Sequence, residues 1–95
     1  MKFICTATVY LLLLDSHSLK EKRSAIKPIV HRLQKEFNLS VSEVEKLNKW
    51  NESIILCAHA SNNKSFSLSY LSKVESFILK YYPNVEVLEV KLEVI

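Results

Sequence analysis

The chain of 95 residues contains no glycine. This excludes every phosphate cradle built from glycine, because the P-loop and the dinucleotide fingerprint both bring backbone against a phosphate where a Cβ would intrude. Turns that need positive φ must use Asn or Asp, which tolerate it best among the other residues. Asp15, Asn38, Asn48, Asn62, Asn63 and Asn84 fall between the periodic segments, where such turns are required. Cysteine is nearly as scarce. Cys5 and Cys57 are the two present, with no Cys-x-x-Cys spacing, so we expect reduced thiols in a cytoplasm. Long apolar runs are also missing: the longest, Val9 to Leu14, is far short of the roughly 20 residues a membrane span needs. The stretch before it does not read as a signal peptide. Thr6 and Thr8 interrupt it, and Asp15-Ser16-His17 follows in place of a small-residue cleavage site. No membrane partner is expected.

What remains is 48% hydrophobic and 24% charged, the balance of one folded domain over residues 1–95. The charge is not spread evenly. From His17 to Phe37 there are six cations (Lys20, Lys22, Arg23, Lys27, Arg32, Lys35) against two anions (Glu21, Glu36), whereas the other residues carry seven against eight. The net +3 of the chain therefore resides in this one segment, and an electrostatic partner would bind there.

Phe3 to Leu14 alternates with a period of two and predicts a central strand with one fully apolar face. Ser18 followed by Glu21 has the spacing of a capping box, opening a helix that runs to about Phe37, with Asn38 as a left-handed cap. On a wheel of 100° per residue, Ile26, Ile29, Val30, Leu33 and Phe37 share one side, and Lys20, Arg23, Lys27, His31 and Lys35 the other. Lys22 points toward the apolar side. Pro28 inside the pattern predicts a kink, or a first turn only loosely helical before Ser24. Leu39 to Lys46 reads as a more polar strand, and Ser53 to Ala60 as a nearly continuous hydrophobic one, the two forming a hairpin. A second helix is expected from about Ser65 to Tyr82, ended by Pro83. The last strand, Val85 to Val94, is expected to place Leu88, Val90, Leu92 and Val94 inward.

The order βαββαβ predicts an α+β, ferredoxin-like sandwich. Its four-stranded antiparallel sheet has strand order 4-1-3-2, both helices cover one face, and the other face is open.

His17-Ser18-Leu19-Lys20-Glu21-Lys22-Arg23-Ser24 after a hydrophobic strand, Arg32-Leu33 with Phe37-Asn38, Val41-Ser42-Glu43-Val44, Trp50, and Ser61-Asn62 after the third strand resemble the YlxP-like family of small bacterial proteins. The resemblance spans essentially the whole chain. It implies a ferredoxin-like domain of unknown function, and in some bacteria the gene lies beside genes for translation initiation and ribosome maturation. A role near the ribosome is implied, with ribosomal RNA or a ribosome-associated protein as partner. The chain departs from the family after Trp50, where Asn51-Glu52-Ser53 stands in place of the common Gln-Arg-Ala, so that one basic contact becomes acidic, and Leu56 stands at a usual glycine.

Candidate nucleic-acid contacts are His17, Lys20, Lys22, Arg23, Lys27, His31 and Lys35, because helix-borne cations neutralise phosphates in register. His17, just before the helix start, is placed to receive an anion together with free amides. Trp50 is expected to anchor the hairpin against the core, with base stacking as the alternative. The open sheet face, where Tyr10 stands nearly alone beside Glu89, Lys91 and Glu93, lacks the aromatics of an RRM-like surface. Ile4, Tyr10 and Leu12 on that face are the candidate contacts of a homodimer. Cys5, Cys57 and His59 could approach one another, but buried cysteine behaves more often as a small hydrophobe, so neither metal nor cofactor is expected. Acylphosphatase-like enzymes of this topology use a glycine-containing loop with an arginine after the first strand. Asp15 and Ser16 occupy that loop here, and the chain reads as a non-enzyme.

Overall fold

A computed structural model describes all residues 1–95. The elements are β1 (Phe3–Leu13), α1 (Leu19–Phe37), β2 (Ser40–Glu45), β3 (Glu52–Ser61), α2 (Lys64–Tyr81) and β4 (Val85–Val94). All strand pairs are antiparallel, in the order β2-β3-β1-β4, which is the expected order read from the opposite edge.

β1 is central because its sequence suits a strand covered on one side. Cys5, Ala7, Val9, Leu11 and Leu13 are all buried against the helices, while Ile4, Thr8, Tyr10 and Leu12 alternate onto the open face. From above, α1 contributes Ile26, Ile29 and Leu33, and α2 contributes Leu71, Val74 and Ile78. Burying each such aliphatic side chain stabilises the fold by about 1.5–3 kcal/mol before chain entropy is counted.

The start of α1 follows from its capping residues. Ser18 is extended (φ −157°, ψ 162°), and its Oγ accepts from the Glu21 amide at 3.1 Å. Glu21 Oε1 in turn accepts from the His17 amide at 2.8 Å. At the far end Asn38 adopts the left-handed conformation (φ 53°, ψ 47°), as its short polar side chain allows. Pro28 is accommodated inside a helix that is continuous from Leu19, with a regular Lys22 amide to Ser18 carbonyl bond of 3.0 Å in the first turn. The loosely helical start is therefore not present, and the inward direction of Lys22 needs another cause.

Two further expectations are corrected. Positive φ is found at Asn38 and at Lys46 (φ 64°), not at the remaining Asn and Asp positions. In β4 the register against β1 slips between Tyr10 and Leu11, so that Leu11 faces Val87 and Leu13 faces Val85. Leu88 falls at this bulge and is exposed, while Val85 and Val87 turn toward the core in its place. Val90, Leu92 and Val94 keep the expected face opposite Val9, Ala7 and Cys5, but the last two stay partly exposed at the sheet edge.

Candidate nucleic-acid interface

Lys22 is withdrawn from the expected interface. Its side chain is 2% exposed, and Nζ lies 3.0 Å from Glu43 Oε2. The same ammonium donates to the carbonyls of Lys46 (2.7 Å), Leu47 (3.4 Å) and Glu52 (3.2 Å). Glu43 faces inward because β2 alternation places it on the side of the buried Val41, and Ser53 Oγ donates to its Oε2 at 2.6 Å. A buried charge persists only when it is paired and hydrogen-bonded, and here one lysine ties α1 to the β2–β3 loop. It cannot also reach a phosphate.

Arg32 is likewise engaged. It donates to Glu36 Oε2 at 2.6 Å and to Tyr82 Oη at 3.4 Å, and its guanidinium lies 4.6 Å from the Tyr81 ring centroid and 4.7 Å from that of Phe77. The hydrogen bonds to Glu36 and Tyr82 raise its pKa further above the ordinary arginine value. It packs the end of α1 against the end of α2.

The remaining cations stay free. Lys20, Arg23, Lys27, His31 and Lys35 are all exposed on α1, and the ion pairs of the molecule are Lys22–Glu43 and Arg32–Glu36 alone. Three of them, Arg23, Lys27 and His31, line a groove of about 450 Å³ between α1 and the edge strand β2. Its apolar lining comes from Ile26, Val30 and Val41, and Gln34 reaches across to donate to the Val41 carbonyl at 3.0 Å. Three of the acids around this face are engaged elsewhere: Glu21 at the helix cap, Glu36 on Arg32 and Glu43 on Lys22.

His17 is not placed as an anion receptor, because the Glu21 carboxylate occupies the helix start and accepts the His17 amide. Its ring instead lies against Trp50, with centroids 5.8 Å apart and planes tilted by 34°. Trp50 is 44% exposed and so does not anchor the hairpin in the core. The loop itself is fixed through its backbone. Ser16 Oγ donates to the Trp50 carbonyl, and the Leu13 amide donates to the Asn51 carbonyl at 2.8 Å. Sequence reasoning missed this pairing because the two rings are brought together by contacts more than thirty residues apart.

On the open sheet face, Ile4, Tyr10 and Leu12 share the expected side but not one patch. Ile4 is exposed, while Tyr10 and Leu12 are half-buried, with Thr6 and Thr8 standing between. Lys91 Nζ lies 5.3 Å from the Tyr10 ring centroid. On the helix side, Cys5 and Cys57 are free and fully buried, and burial pushes the Cys57 thiol up to about 12. His59, opposite Cys5 in the register, bonds through Nδ1 to Ser67 Oγ at 2.7 Å and packs on Tyr70. A hydroxyl beside an imidazole is the geometry of an activated nucleophile. Here Ser67 is fully buried, His59 is half-buried, and no acid bonds the ring.

Comparison with known proteins bears on the fold and the family. A de novo designed protein, Foldit4, superposes with a TM-score of 0.55 over 96% of each chain at 17% identity, which shows the fold alone. The Uncharacterized protein YlxP of Bacillus subtilis (strain 168) is 33% identical over 82 residues, covering 86% of this chain and 84% of the relative. Residues 4–92 match the model of the Protein of unknown function (DUF503). The chain belongs to this DUF503 family and is similar to YlxP.

Proposed function

We propose that the protein is a non-catalytic, cytoplasmic accessory factor that binds ribosomal RNA through the free cations of α1. The observation that carries this reading is the row Lys20, Arg23, Lys27, His31 and Lys35, exposed and without ion pairs, beside Glu21, Glu36 and Glu43, which are engaged elsewhere. At 1.5 Å per residue the row from Lys20 to Lys35 runs about 22 Å, which suits a phosphate backbone better than a small anion. The gene neighbourhood implied by the family resemblance supports the ribosome as the source of that RNA.

The test is a titration of a labelled single-stranded fragment of ribosomal RNA against the protein across a range of salt concentrations. The variant Lys20→Glu, Arg23→Glu, Lys27→Glu should bind far more weakly and lower the salt slope by about 2, from roughly 0.7 per lost phosphate contact. Its thermal stability should remain within about 1 kcal/mol of the parent, as for exposed sites. Equal binding by parent and variant would end the proposal.

A further inference from the structure

We propose that Trp50 and His17 form a stacking platform for one unpaired base, so that the RNA held by α1 is single-stranded at this end rather than a duplex. The inference rests on the RNA reading above and assigns its ligand class. A tryptophan normally buries its large apolar surface, yet Trp50 is 44% exposed with the His17 ring 5.8 Å away. The exposure is not the result of a loose loop. The Trp50 carbonyl accepts from Ser16 Oγ, and the turn before it closes through the Lys49 amide to Lys46 carbonyl bond of 3.0 Å. The Lys46, Leu47 and Glu52 carbonyls are all gripped by the buried Lys22. An aromatic face held out to solvent by a fixed backbone is suited to receive a flat partner without ordering cost.

Cations flank the rings: Lys46 and Lys49 lie in the same turn as Trp50, and Lys20 lies in the first turn of α1, three residues after His17, all exposed, with Asp15, Glu45 and Glu52 as the acids nearest in the chain. Arg23 lines the groove and follows Lys22 directly, so the β2–β3 loop lies against that end of the cation row. A strand whose phosphates track the row would bring its terminal bases to the two rings. Bases inside an A-form duplex are already stacked and paired, and the deep, narrow major groove closes their edges to side chains. Splayed bases of a single strand stack on exposed aromatics, with cations beside them for the backbone.

Trp50 is the sole tryptophan, so its fluorescence reports the platform directly. Titration with a short single-stranded oligoribonucleotide should quench that emission, and a blunt RNA duplex of the same length should not. Trp50→Ala should weaken binding of the single strand by about tenfold, the effect of losing one stacked base, with the salt slope unchanged. Trp50→Phe should recover most of the loss, and circular dichroism melting checks that both variants are folded. Single-strand binding that saturates without quenching, with Trp50→Ala as tight as the parent, would overturn the platform and leave the helix reading standing. Absence of binding by the parent at low salt would overturn both.

Discussion

Replacing Lys22 by Met keeps an unbranched side chain one atom shorter and removes its charge, which isolates the contact between α1 and the β2–β3 loop. The Glu43 carboxylate, with its side chain 20% exposed, then loses its only ion-pair partner, and the carbonyls of Lys46, Leu47 and Glu52 lose their shared donor. Removing one partner of a buried pair costs about 3–5 kcal/mol. The partial exposure of Glu43 and the loop carbonyls' access to water place the effect near the lower end, at about 3 kcal/mol. A domain of this size shifts its midpoint by about 4–8 °C per kcal/mol, so the variant should melt on the order of 15 °C below the parent. Urea unfolding followed by circular dichroism measures the change directly. Lys22→Met combined with Glu43→Gln should be more stable than Lys22→Met alone, because no unpaired charge is left in place. A loss below about 1 kcal/mol, or strictly additive effects in the pair, would refute the reasoning. The matching control is Lys27→Met on the groove side, which should stay within about 0.5 kcal/mol.

Burial of Cys57 raises its thiol pKa from 9.0 to about 12, so the folded chain should resist alkylation at pH 8 under conditions that modify the urea-unfolded chain at once. The raised value means the thiol's contribution to stability is complete below pH 9 and is lost as pH climbs from 9 toward 12. Cys57→Ala should therefore lose less stability than the parent over that window in pH-dependent unfolding. Lys46 holds a left-handed conformation that costs a residue with a Cβ about 1 kcal/mol, so Lys46→Gly should unfold at equal or higher urea concentration. A clear drop would show that the Lys46 side chain stabilises the loop.

The fold was legible because each element carries its own local signal. Alternation in Phe3–Leu13, the Ser18/Glu21 cap and Asn38 need only a few neighbouring residues to act, and all three appear in the structure. The bulge at Leu88 was not legible, since the hydrophobic alternation continues through it and only pairing with β1 reveals the slip. The site was half legible. The cation row follows from helical spacing, but which cations of α1 are free depends on contacts across 24 to 30 residues, as for Lys22. A signal did exist, because Lys22 on the apolar side of α1 and Glu43 on the buried side of β2 are complementary misfits. Trp50 beside His17 left no comparable trace, because their proximity is created by the Ser16 and Lys22 contacts that position the loop.

The central claim is that free cations of α1 hold ribosomal RNA. Its most direct test is co-sedimentation of the parent and of Lys20→Glu, Arg23→Glu, Lys27→Glu with ribosomal subunits, at low and at high salt. The account predicts that the parent travels with a subunit at low salt, is released at high salt, and that the variant stays in the supernatant throughout. A parent that fails to sediment with either subunit at low salt, or a variant that sediments as well as the parent, would contradict it.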